Sequence, residues 1–107
     1  MLEFIYVLRV TRQAMLTEGP TDEEAAAVGR HFQYLKELTA QRIVLMAGRT
    51  QTTDEQTRGY VVLQAPDEKS ARDLMLGDPA VEEGVMTAEL FPFKVALWNT
   101  QYSTEGP

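Results

Sequence analysis

Residues 21–41, TDEEAAAVGRHFQYLKELTAQ, lie between two strand-like runs, and reading them as one long helix makes the chain open with a βα unit. Thr21 suits the N-cap, because its hydroxyl can accept from the amide three residues on, and Glu24 is spaced to reach back to the Thr21 amide as a capping box. Asp22, Glu23 and Glu24 set negative charge at the positive end of the helix dipole. Ala25, Val28, Phe32, Leu35 and Leu38 recur at three- and four-residue steps and are expected to form the buried stripe. His31, the only histidine of the chain, falls at the edge of that stripe. A ring there loses solvation unless its nitrogens find partners.

Upstream, Leu2–Val10 (LEFIYVLRV) reads as a strand rich in β-branched and aromatic residues. Alternation sends Phe4, Tyr6, Leu8 and Val10 to one face and Ile5, Val7 and Arg9 to the other, so both faces are apolar except at Arg9. Residues 11–20 read as a loop folded back over Met15 and Leu16. Downstream, residues 43–47 (IVLMA) form a second strand, 51–57 a mobile polar hairpin loop, and Gly59–Ala65 a third strand. Asp67 caps a second helix running to about Leu76, with Ala71, Leu74 and Met75 inward. Gly77-Asp78-Pro79 stops it, and Pro79 suits the first turn of a short helical piece over 79–83. Residues 85–98 are expected as the last strand, interrupted at Pro92, since proline cannot donate to a ladder.

The order βαββαβ implies an α+β, ferredoxin-like domain over residues 1–98, an antiparallel sheet with its helices on one face, followed by a polar tail over 99–107. Two helices cover only one side of a sheet whose strands are apolar on both. A second copy packed sheet to sheet is the simplest cover, so a homodimer, a dimeric α/β barrel, is expected.

Composition narrows the function. At 107 residues the chain builds one core. A net charge of −6 without a basic cluster argues against a nucleic-acid partner, and no apolar run reaches the roughly 18–20 residues of a membrane span. The N-terminus lacks the layout of a signal peptide, and the absence of cysteine fits a cytoplasmic protein. One histidine, no cysteine and no dense acidic triplet leave no expected metal site. No glycine-rich phosphate loop or nucleophile elbow is present, and no cofactor is expected.

The candidate chemistry rests on five side chains, each with a structural reading beside the functional one. His31 can act as a general acid or base, or sit as a core-edge ring bonded to a carbonyl. Asp78 can orient a histidine by accepting from one ring N–H, or serve as an N-cap before Pro79; two oxygens allow both. Arg49 at the end of the second strand and Arg9 on a strand face can bind an anion or pair with an acidic residue. The Tyr60 hydroxyl can line a pocket, or the ring can simply pack.

Three segments carry a family resemblance: His31-Phe32-x-Tyr34-Leu35, then Leu45-Met46-Ala47-Gly48, then Asp78-Pro79-Ala80-Val81 with Gly84-Val85 and Glu89-Leu90-Phe91-Pro92-Phe93. In this order and spacing they resemble the YciI-like (YCII-related) family of small dimeric α/β-barrel proteins. The resemblance implies a His-Asp active-site pair on His31 and Asp78. Two positions depart from it: Arg49 stands where many relatives have proline, and Gly59-Tyr60 where many have a serine. One branch of the family is a dehydrochlorinase acting on a chlorinated hydroquinone, and the wider superfamily includes muconolactone isomerases. The expectation is a cofactor-independent enzyme moving a proton by elimination, isomerisation or hydrolysis on a small anionic organic substrate, aromatic or lactone-like. The other reading is a non-catalytic dimeric module that binds a small ligand or a protein.

Overall fold

The computed structural model describes residues 1–101; the end of the polar tail expected over 99–107 lies outside them. The chain runs β1 (Leu2–Val10), α1 (Ala14–Thr17), α2 (Asp22–Ala40), β2 (Val44–Arg49), β3 (Gly59–Ala65), α3 (Glu68–Leu76), α4 (Pro79–Glu82) and β4 (Met86–Phe93). The four strands form one antiparallel sheet in the order β2-β3-β1-β4, and the fold is ferredoxin-like. No helix among the described residues is long and apolar enough to cross a membrane.

Register assigns the faces. Phe4 stands opposite Leu63, Tyr6 opposite Val61 and Leu8 opposite Gly59, all toward the helices. These residues join Leu35 and Leu38 of α2 and Ala71 and Met75 of α3 in one core. The other face carries Ile5, Val7, Val62 and Phe91. Phe91 and Phe93 remain exposed there.

Four expectations change. Residues 11–20 contain the short helix α1, which buries Met15. The inward stripe of α2 runs through Ala27, His31, Leu35 and Leu38, with Ala25 exposed and Phe32 67% exposed. The β2–β3 loop, expected as a mobile polar stretch, carries internal links: Thr50 Oγ1, Thr52 Oγ1 and Thr57 Oγ1 form a hydrogen-bonded chain at 2.9 and 2.8 Å. Finally, β4 ends at Phe93; Pro92 lies on the outermost strand, where a missing donor is tolerated, and residues 94–98 leave the ladder as the Val95 amide donates to Glu3 Oε1 at 2.8 Å.

The start of α2 follows its sequence. The Glu24 amide donates to Thr21 Oγ1 and the Thr21 amide to Glu24 Oε1, the reciprocal capping box. Arg12 also grips Glu24, its Nε donating to Oε2 at 2.9 Å, and so ties the β1–α1 turn to α2. The Arg12 guanidinium and the Thr21 amide lower the Glu24 carboxyl from 4.5 to about 2. A depressed carboxyl contributes stability that is full above its unfolded value and is lost as pH falls toward the folded one. Between pH 4.5 and about 2, Glu24→Gln is therefore expected to show a shallower fall in Tm than the wild type. Thermal melts across that range check this, and parallel curves would remove the coupling.

Candidate active site

The site grows from the Gly77-Asp78-Pro79 turn. Gly77 ends α3 where a Cβ would come within 3.3 Å of both the Asp73 carbonyl and the Tyr34 hydroxyl, a tight fit that a side chain could take only if these neighbours gave by a few tenths of an ångström. That approach lets Tyr34 donate to the Leu74 carbonyl at 2.7 Å and binds α2 to the end of α3. Pro79 occupies the first turn of α4, where its missing N–H costs nothing. Asp78, between them, is the N-cap of α4, and its Oδ1 accepts from the Ala80 amide at 3.0 Å.

The same carboxylate reaches two other elements. His31 Nδ1 of α2 lies 2.7 Å from Asp78 Oδ1 and 2.8 Å from Oδ2. Tyr6 of β1 donates its hydroxyl to Oδ2 at 2.8 Å. Asp78 is fully buried, and the His31 side chain is 13% exposed. Three donors converge on one carboxylate, so Nδ1 carries the hydrogen and Nε2 is left as the free acceptor of the neutral ring. Nε2 has no hydrogen-bond partner among the described residues. Burial, followed by the charge of Asp78 and the bond to it, pushes the Tyr6 phenol well above its ordinary value, so Tyr6 stays a donor. Asp78 is thus both helix cap and histidine partner: Oδ1 takes the Ala80 amide, Oδ2 the Tyr6 hydroxyl, and His31 Nδ1 sits within reach of both oxygens.

His31 borders a cavity of about 680 Å³ between the sheet, α1, α2 and the β2–β3 hairpin. Its walls are largely apolar, including Leu8, Val28, Leu35 and Met86, with Phe32 at the surface. The remaining expected residues divide. Arg49 borders the cavity: it stands opposite Gly59, on the helix side of the sheet. Arg9 is not brought there; it is exposed between Leu8 and Val10, and alternation turns it to the opposite face. Tyr60 borders the cavity, although it pairs with Val7 and so stands in the other register.

Two residues escape a reading of the sequence alone. Tyr6 passes for core, although an inward phenol must find a partner for its hydroxyl, and that requirement was the available signal. Arg58 borders the cavity, its Nη1 held by the carbonyls of Glu55 at 2.6 Å and Thr57 at 2.9 Å. It lies in a polar hairpin where nothing local marks it.

Residues 4–94 match the YCII-related domain. The chain belongs to the YCII-related domain family. No curated protein matches it significantly. Among solved structures it is similar to a 5-chloro-2-hydroxyhydroquinone dehydrochlorinase from Burkholderia phenoliruptrix, solved in complex with 2,5-dihydroxybenzoquinone. The two share 16% identity over 85% of this chain and 93% of the other, with a TM-score of 0.60. It is also similar to an uncharacterised protein from Thermotoga maritima, at 12% identity over 87% of this chain and 96% of that one, TM-score 0.52. At these identities the likeness is one of fold.

Within this YCII-related domain the hydrogen bond from Tyr6 ends on a charged acceptor, so Tyr6→Phe is expected to lower the unfolding free energy by about 1.5–3 kcal/mol in urea titrations. Nitrogen-15 NMR of the single histidine reads the other contact. The neutral wild-type ring should show Nδ1–H, and Asp78→Asn should release that preference. A wild-type ring protonated on Nε2 would overturn the arrangement.

Proposed function

We propose that the domain is a small acid–base enzyme in which His31 Nε2 moves a proton on an organic substrate held in the cavity. The observation that carries this is the asymmetry of one ring: Nδ1 is bound to a buried carboxylate, and Nε2 is unpartnered on a residue that borders the cavity. Asp78 fixes the tautomer and stabilises the imidazolium when Nε2 takes up a proton, and Tyr6 holds the carboxylate in place. Nε2 removes a proton from the carbon beside a carbonyl, and the electron pair of the broken C–H bond moves through a new C=C bond onto the carbonyl oxygen. The proton then returns at another atom, an isomerisation, or a leaving group departs, an elimination. Hydrolysis fits less well, since no serine or cysteine borders the cavity among the described residues. The dehydrochlorinase of similar fold makes hydroxylated and halogenated hydroquinones the first compounds to try.

The test is solvent deuterium exchange, followed by proton NMR, into a panel of hydroxyquinones, hydroquinones and unsaturated lactones. Exchange or turnover by the wild type should fall about 10²–10⁴-fold in His31→Ala, the usual range for a lost general base. Turnover that survives the substitution would remove His31 from the mechanism. A ligand that binds but neither exchanges nor reacts would make the domain a binding module.

We further propose that the working form is a homodimer through the far face of the sheet, where Phe91 and Phe93 are 45% and 42% exposed beside the half-buried Ile5 and Val7. Sedimentation equilibrium should give twice the mass of the 12.0 kDa chain, and Phe91→Asp should shift it toward one. A wild-type monomer at micromolar concentration would discard the dimer.

A further inference from the structure

We infer that Arg49 and Arg58 form an anion seat at the β2–β3 end of the cavity, and that its ligand is an apolar ring acid whose carboxylate rests on these two guanidinium groups. The inference names a substrate class for the site proposed above and rests on that reading for the placement of the reacting atom. The recognition itself does not require His31.

The first observation is a charge imbalance. The chain has 16 acidic and 10 basic residues, a net charge of −6, yet the cavity is bordered by Arg49, Arg58 and His31 and by no Asp or Glu. A wall drawn at random from such a chain would carry more acid than base.

The second is the state of the two arginines. Three other arginines pair with carboxylates, Arg12 with Glu24, Arg30 with Glu83 and Arg72 with Glu68, while Arg9 and Arg42, which do not border the cavity, have no ion-pair partner among the described residues. Among the described residues neither Arg49 nor Arg58 has an ion-pair partner. Arg58 is anchored instead by backbone carbonyls on one nitrogen, which leaves Nε and Nη2 without a described acceptor. The threonine chain stiffens the hairpin that supplies those carbonyls, and the Thr50 hydroxyl also accepts from the Arg58 amide at 3.0 Å. Arg49 borders the same cavity beside Gly59, over which the Leu8 side chain lies. Two cations bordering one apolar space repel each other, and a planar carboxylate relieves this with paired N–H donors.

The third is scale. Tyr6, which holds the His31 partner, is on β1, and Arg49 is on β2, two strands away through β3. At about 4.8 Å between strands, the β1 and β2 backbones lie roughly 10 Å apart, which sets the width of the sheet beneath the cavity. A floor of that width admits one six-membered ring bearing a carboxylate. The apolar wall between, Leu8, Val28, Leu35 and Met86, suits the ring and not a sugar or a free phosphate.

Isothermal titration of the full chain with benzoate, trans-cinnamate and 2,5-dihydroxybenzoate, against benzamide as the uncharged control, tests the seat. At least one of the acids is expected to bind 10-fold or more tightly than benzamide. Arg49→Gln and Arg58→Gln should each weaken that acid about 10-fold, and the double variant should bind it no better than benzamide. Inorganic phosphate should not compete at equal concentration. Melting curves run beside the titrations show that the variants remain folded; Arg49, exposed and free of described partners, gives the cleaner of the two. Acid binding that survives the double substitution, equal binding of benzamide, competition by phosphate, or no binding by any acid at millimolar concentration would each overturn the seat. His31→Gln separates the two ideas: acid binding unchanged in that variant, with no proton exchange by the wild type, keeps the seat and rejects the catalytic reading.

Discussion

The Asp78 carboxylate is the constraint on which the rest of the structure depends. A fully buried charge is tolerated only when donors replace the water it has lost, and here three do so from three different elements: the Ala80 amide of α4, the Tyr6 hydroxyl of β1 and His31 Nδ1 of α2. The sequence around Asp78 serves that end. Gly77 allows Tyr34 and the end of α3 to close on the turn, and Pro79 starts α4 so that its first free amide points back at the carboxylate. Any one of these contacts is ordinary. Together they fix sheet, long helix and short helix against each other at one atom group, and the imidazole orientation follows without further device.

The cavity has an equally simple origin. The C-terminal half of α2 meets the sheet through Leu35 and Leu38, which fill the core. Its N-terminal half offers Ala25 and Val28, and the strand beneath offers Ala47. Small side chains on both layers cannot fill the gap that helix-on-sheet packing leaves, and Met15 and Leu16 of α1 border it without closing it. The space therefore opens next to His31, at the boundary between the filled and unfilled halves of one helix. The Arg12–Glu24 pair holds the β1–α1 turn to the same end of that helix, so the border of the cavity is tied to the capping box.

How much of this is visible in the sequence depends on range. The caps of α2, α3 and α4 involve partners two or three residues apart and can be read directly from Thr21 and Glu24, from Asp67 and from Asp78. Element order fixes the topology because a helix crossover between two parallel strands, here β1 and β2 with β3 between them, has few alternatives. The rotation of α2 is harder. Ala25, Val28 and Phe32 extend the apolar surface to one side of the true stripe, and periodicity cannot tell a core residue from one that borders a cavity. Contacts across 47 residues, His31 to Asp78, and 72 residues, Tyr6 to Asp78, leave no local pattern at all. Family resemblance suggested the first pair and was silent on the tyrosine. Arg9 falls outside the pocket because a strand reverses its face at every residue and its register opposite Thr87 turns it away, while Tyr60, opposite Val7, borders the cavity from the other register.

The electrostatics of the domain then divide by distance. Sixteen acidic residues give the molecule a negative field that would repel an approaching anion. At physiological ionic strength that field is screened beyond about 8 Å, while charges on a low-dielectric wall are screened much less. Once inside the cavity, an anion is governed by Arg49, Arg58 and the His31 ring, with no carboxylate among the bordering residues. The one acidic group close by, Asp78, has both of its oxygens committed to donors and lies behind the imidazole. In the proposed seat, selection for a negatively charged ligand belongs to the cavity wall and is expressed in residence once bound, not in long-range capture. On that proposal Arg49 and Arg58 hold the charge at the β2–β3 end, and the far end of the ligand, not its carboxylate, is the part offered to His31 of α2.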